Sequence, residues 1–168
     1  MYNFAIDAAA PKTALYADLL SAADALTAGE VDGVANMANI SALLWQYLPD
    51  LNWAGFYRMV DDDPSTGSGQ GLVLGPFQGK AACIRIPLGK GVCGAAAAQG
   101  VSQLVEDVHA FPGHIACDAD SRSELVVPVV RDGVVIAVID LDSPSPARFD
   151  AQDQAGIESL AAVLAQRI

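Results

Sequence analysis

The chain has 168 residues, 52% hydrophobic and 17% charged, with 20 acidic side chains against 9 basic ones and a net charge of −11. This describes one domain with an aliphatic core, and its acidity repels phosphate backbones, so nucleic acid is excluded as a partner. No apolar run reaches the roughly 18–20 residues that cross a bilayer, and the first ten residues lack a basic n-region; the expectation is a cytoplasmic protein without membrane span or secretory leader.

Residues 1–12 read as a tail with little to pack, and 13–168 as a single domain. Leu15, Leu19, Ala22, Ala23 and Leu26 recur at helical spacing up to Gly29. A second stripe, Val34, Met37, Ala38, Ser41, Leu44, Trp45 and Leu48, predicts another helix, closed by Pro49-Asp50. Residues 51–60 predict a strand rich in aromatics, and the Asp-, Ser- and Gly-rich stretch 61–71 a hairpin loop. Short strands follow at 72–75 and 83–87, then a small Ala-rich helix opened by 89–94 and running to about Gln99. Residues 100–122 read as irregular, and so long a segment is the expected home of a binding site. Runs at 125–130 and 134–141 form a hairpin around Arg131-Asp132-Gly133. Ile157, Leu160, Ala161, Leu164 and Ile168 predict a closing helix.

This order predicts an α+β fold with a central antiparallel sheet of about six strands. The N- and C-terminal helices pack on one face, and loops and short helices cover a site on the other. The helical stripes also predict a homodimer, with Leu160 and Leu164 at its interface.

Three cysteines, Cys83, Cys93 and Cys117, cannot form a closed disulfide framework, and cytosolic reductants keep such thiols reduced unless they are catalytic or regulatory. Gly89-Lys90-Gly91-Val92-Cys93-Gly94 matches G-x-G-x-x-G, but its helix is too short for a βαβ crossover, which removes the dinucleotide reading. What survives is a helix start whose backbone N–H groups can hold a carboxylate or lower the pKa of Cys93. His109, His114 and Cys117, with Cys83, Cys93, Asp118 and Asp120, offer zinc ligand types, yet no C-x2-C or H-x3-H pair nucleates a site, and no metal is assigned. Cys117 stands in a loop three residues after His114 and beside Asp118, placed for thiolate chemistry if a cation lowers its pKa.

Glu124, Asp140 and Asp142 flank the hairpin at the end away from its turn. Asp140 and Asp142 share a face. A two-residue loop pairs Glu124 with Leu141, whereas a three-residue loop pairs it with Asp140 and aligns all three acids. Such a trio suits a ligand ammonium group, and one member held protonated by its neighbours can serve as a general acid.

The blocks Asn52–Tyr57, Leu74–Lys80, Cys83, Gly91–Gly94, Gly113–Asp118 and Asp140–Ser143 together resemble the free methionine-(R)-sulfoxide reductases, which are single GAF domains. The resemblance runs from about Tyr16 to the last residue; the 61–71 loop is longer than the family's pattern. It implies that Cys117 attacks the sulfoxide, Glu124 protonates the departing oxygen, and Cys83 resolves the resulting sulfenic acid, with Cys93 as alternate or relay. It implies an external thioredoxin-like reductant and no bound cofactor. Asp140 and Asp142 are then expected to grip the substrate ammonium, and Trp53 and Tyr57 to wall its methyl-thio end or simply pack the core. A noncatalytic GAF domain sensing a small ligand or oxidants is the alternative.

Overall fold

The computed structural model describes residues 4–61, 69–113 and 119–168. Helices α1 (Lys12–Thr27) and α2 (Gly33–Tyr47) lead into strands β1 (Trp53–Val60), β2 (Gly71–Gly79) and β3 (Arg85–Pro87). Helix α3 (Gly91–Gln99), β4 (Gln103–Val105), the hairpin β5 (Ser123–Arg131) and β6 (Val134–Ser143), and helix α4 (Ala151–Leu164) complete the chain. The six strands form one antiparallel sheet in the order β3-β2-β1-β6-β5-β4.

Each strand of the middle of the sheet splits its side chains between two cores, because successive residues point to opposite faces. Ala54, Phe56, Leu125, Val127, Ile139 and Leu141 join α1, α2 and α4 in the larger core. Tyr57, Val126 and Val138 join α3 in the smaller one. Asp32 caps α2 by accepting from the Val34 and Ala35 N–H groups. Asp150 and Asp153 form a capping box at the start of α4.

The helices, their common face and the GAF-like α+β architecture follow the expectation, and four details differ. A sixth strand, β4, lies inside the segment read as irregular. The tail does pack: Phe4 and Ile6 lie against the larger core, and the Tyr47 hydroxyl donates to the Phe4 carbonyl at 2.8 Å. The buried stripe of α2 runs through Asn36, Met37, Ile40, Leu44 and Tyr47, leaving Val34, Ala38 and Trp45 exposed. Leu160 and Leu164 are buried in the chain's own core, at 3% and 0% exposure, so they cannot carry a dimer interface.

Candidate active site

The acids come together through a register that differs from both expected ones. Asp132 and Gly133 take left-handed φ values of 52° and 80°, a two-residue turn that pairs Arg131 with Val134. A bulge then shifts the ladder by one, because Val130 pairs with Val135 while Val129 pairs with Ala137. Glu124 therefore faces Asp142, rather than Leu141 or Asp140. That still puts Glu124, Asp140 and Asp142 on one face, since all three sit at even spacing across the pair.

On the neighbouring strand Trp53 pairs with Asp142, and Gly55 pairs with Asp140. Gly55 has no side chain to cover the Asp140 carboxyl, and a Cβ there would come within 2.4 Å of the Phe77 Cβ. The result is a pocket of about 570 Å³, open mouth included, whose lining includes Trp53, Tyr57, Cys93, Glu124, Asp140 and Asp142. Trp53 stacks on Tyr57 with ring centroids 5.8 Å apart and on Phe77 at 5.2 Å. Its indole N–H donates to the Lys80 carbonyl at 3.1 Å, and the Tyr57 hydroxyl donates to the Cys83 carbonyl at 3.0 Å. Both residues are core and wall at once: their rings pack the sheet, and their polar tips tether the segment that carries Cys83.

Helix α3 roofs the pocket. It approaches β3 closely at Gly94, where a Cβ would meet the Pro87 carbonyl oxygen at 2.5 Å. This seats the neighbouring Cys93 over the acids, with its Sγ 4.0 Å from Glu124 Oε1. One ligating atom each from Cys93, Glu124 and Asp140 lie within 4.8 Å of one another. Gly91 and Val92 of the α3 N-terminus also line the pocket, and no described side chain caps that end.

Burial dominates the electrostatics. It pushes the Cys93 thiol well up, and the charges of Asp140 and Glu124 add to the effect. Burial likewise raises the Glu124 carboxyl, reinforced by Asp140 and Asp142. Asp140 is pushed up to about 7 by burial, against hydrogen bonds to Cys93 and Glu124 that favour its charged form. Two buried carboxyls this close share a proton. Among the described residues, Asp140 Oδ1, buried in the pocket, has no hydrogen-bond partner. Such a group costs free energy until a donor or a cation meets it.

The GAF domain family model matches residues 35–168. A free methionine-R-sulfoxide reductase of Escherichia coli is 52% identical over 153 residues, covering 91% of this chain and 88% of that protein. The Saccharomyces cerevisiae enzyme of the same name is 42% identical, with 91% and 85% covered. The structure of free methionine-R-sulfoxide reductase from Neisseria meningitidis in complex with its substrate superposes with a TM-score of 0.90 at 44% identity, over 99% of this chain and 95% of that one. The chain belongs to the free methionine-R-sulfoxide reductase family.

Of the site residues expected for that family, the fold gathers Trp53, Tyr57, Cys93, Glu124, Asp140 and Asp142 around one pocket. Cys83 is half-buried just before β3, packed against the smaller core rather than starting the strand. Cys117, His114 and Asp118 lie outside the described residues. His109 sits on a single 3₁₀ turn, Val108–Ala110, away from the pocket lining. Sequence reasoning missed Ser121, which is buried in the lining with its Oγ accepting from Asn52 Nδ2 at 3.0 Å. It also missed Lys90 as a lining residue. Ser121 stands two residues before β5, and its distance from Glu124 in sequence carries no periodic signal.

Proposed function

We propose that the protein reduces free L-methionine-(R)-sulfoxide to methionine by thiol chemistry. The observation that carries this reading is Asp140: a buried carboxyl with an oxygen unpartnered among the described residues, flanked by Asp142 and Glu124 in a pocket walled by Trp53 and Tyr57. A free ammonium group beside a short apolar chain is the ligand that satisfies both halves of this pocket. An internal residue of a protein lacks that ammonium and leaves Asp140 Oδ1 unmet, which supplies the specificity for the free amino acid. The N–H groups of Gly91 and Val92 receive the substrate carboxylate.

In the reaction, the Cys117 thiolate attacks the sulfoxide sulfur and Glu124, held protonated by burial and by Asp140 and Asp142, gives its proton to the oxygen. The oxygen ends on Cys117 as a sulfenic acid, so the substrate sulfur gains two electrons and methionine leaves. The Cys83 thiol then displaces that oxygen as water and forms a disulfide. A thioredoxin-like dithiol returns two electrons and two protons by exchange. Cys83 is favoured over Cys93 as the resolving thiol because Cys93 is buried at 4% exposure and its ionisation is strongly disfavoured. No bound cofactor enters this cycle, and it suits the reducing cytoplasm. No described helix is long and apolar enough to cross a membrane.

Methionine release from the R epimer in dithiothreitol, with the S epimer and Cys117→Ser run beside it, tests the reading. Turnover of R alone, lost in Cys117→Ser, supports it; no turnover by the wild type overturns it in favour of a ligand sensor. We retain the homodimer on different residues, the exposed α2 stripe of Val34, Ala38 and Trp45. Trp45→Glu is expected to halve the mass in sedimentation, and an unchanged mass refutes that interface.

A further inference from the structure

We propose that Cys93, Glu124 and Asp140 form a binding site for a thiophilic divalent cation, Zn²⁺ or Cd²⁺, and that this ion excludes the substrate from the pocket. The inhibitory half rests on the reductase reading above; the metal site itself does not. Zinc held by one sulfur and two oxygens needs bonds of about 2.3 Å and 2.0–2.2 Å, which sets ligand atoms roughly 3.3–3.7 Å apart. The three atoms already lie within 4.8 Å of one another, and Sγ to Glu124 Oε1 is 4.0 Å. Side-chain adjustments of an ångström or less close the set.

A second observation points to a ligand. Asp140 is 6% exposed, lines the pocket and keeps Oδ1 without a partner among the described residues, which leaves one carboxylate oxygen to coordinate. Neither Glu124 nor Asp140 pairs with a lysine or arginine among the described residues. The anchors are stiff: Glu124 and Asp140 stand on adjacent central strands, and Cys93 is fixed by the Gly94 approach to Pro87. The single sulfur selects the metal, because hard Mg²⁺ and Ca²⁺ prefer all-oxygen sets of six or more ligands. All three residues line the pocket, which leaves a fourth position to be filled from it by water. A cation there occupies the place proposed for the substrate ammonium, so the two compete.

The test uses the full chain, reduced and stripped with EDTA, titrated with Zn²⁺ against a chromophoric chelator and with Cd²⁺ by its ultraviolet sulfur-to-metal band. One ion per chain is expected. Affinity should fall at least about tenfold in Cys93→Ser and in Asp140→Asn, and the Cd²⁺ band should vanish in Cys93→Ser while persisting in Cys83→Ser and Cys117→Ser. Glu124→Gln serves as a second oxygen variant, should Asp140→Asn fail to fold. Absence of stoichiometric binding, undiminished binding in Cys93→Ser, or loss of the band in Cys117→Ser each overturns the site. In turnover assays Zn²⁺ should raise the KM for methionine-(R)-sulfoxide and leave kcat unchanged. If the chain binds the ion as described but turns over no sulfoxide, the reductase reading fails and the metal site stands. A lowered kcat at constant KM overturns the competition.

Discussion

Two groups of acids in this chain have opposite surroundings. At the start of α4, Asp150 and Asp153 are met from all sides: Lys12 bonds both, Arg148 and the Tyr16 hydroxyl reach Asp153 Oδ1 at 2.9 and 2.8 Å, and Asp153 closes the capping box. The hydrogen bond from Lys12 is the main cause that holds the Asp150 carboxyl down at about 2. Burial alone lowers the Lys12 pKa, but its two acids more than offset this. In the pocket, Glu124 and Asp140 have each other and Cys93, and their carboxyls are pushed up instead. Acids that hold a fold together find their cations within the chain; acids that bind leave that place for a ligand. The α4 group clamps α1 to the far core, and the pocket group faces the other side of the sheet.

The largest expected effect of breaking this contrast is on activity. Glu124→Gln keeps the shape and removes the transferable proton, so kcat/KM for methionine-(R)-sulfoxide should fall about 10²–10⁴-fold. Unfolding in urea should show little loss of stability, because the buried Glu124 is already neutral and the amide replaces it in size and polarity. Next comes Asp153→Ala. It strands the Arg148 guanidinium, whose side chain is 8% exposed, and should cost about 3–5 kcal/mol in a urea melt. The folded fraction should keep its KM. If Asp153→Ala lost activity while Glu124→Gln lost stability, the division between the two groups would be wrong.

The same contrast explains what was legible in the sequence. Helices α1 and α4 were readable because their apolar residues repeat at 3.6 and nothing interrupts them. The phase of α2 was misread at Asn36, a polar residue that is wholly buried with its amide donating to the Glu30 and Arg167 carbonyls. A hydropathy pattern assigns such a residue to the surface and turns the helix with it. Strand β4 escaped notice because it has three residues at the sheet edge, and Leu104 is exposed there. The acids stood out, since carboxylates at the ends of apolar strands need a reason. Their register did not, because the bulge at Ile136 falls in a uniform apolar run where a one-residue slip leaves no mark. Cys93 gave the least warning: its burial depends on Gly94 meeting a carbonyl seven residues back. The activity itself came from the resemblance, not from periodicity or spacing.

The two groups should also give stability slopes of opposite sign. Asp140 has a folded value of about 7 above the ordinary 3.8, so its contribution is fullest below pH 4 and is lost as pH rises through 7. The ligand-free protein should therefore lose on the order of 1 kcal/mol per pH unit across that window, and Asp140→Asn should flatten the dependence of Tm on pH. Asp150 behaves the other way: with a folded value of about 2, its contribution is present above pH 4 and lost as pH falls through 2. Because its side chain is 54% exposed, solvent screens the ion pair, and most of its worth is the cap on Gln152 and Asp153. Asp150→Ala should cost about 1 kcal/mol, nearly independent of salt, whereas Asp150→Asn should cost only a few tenths because asparagine caps as well. A strong salt dependence in Asp150→Asn would instead make the pairing with Lys12, rather than the cap, what fixes α1 against α4.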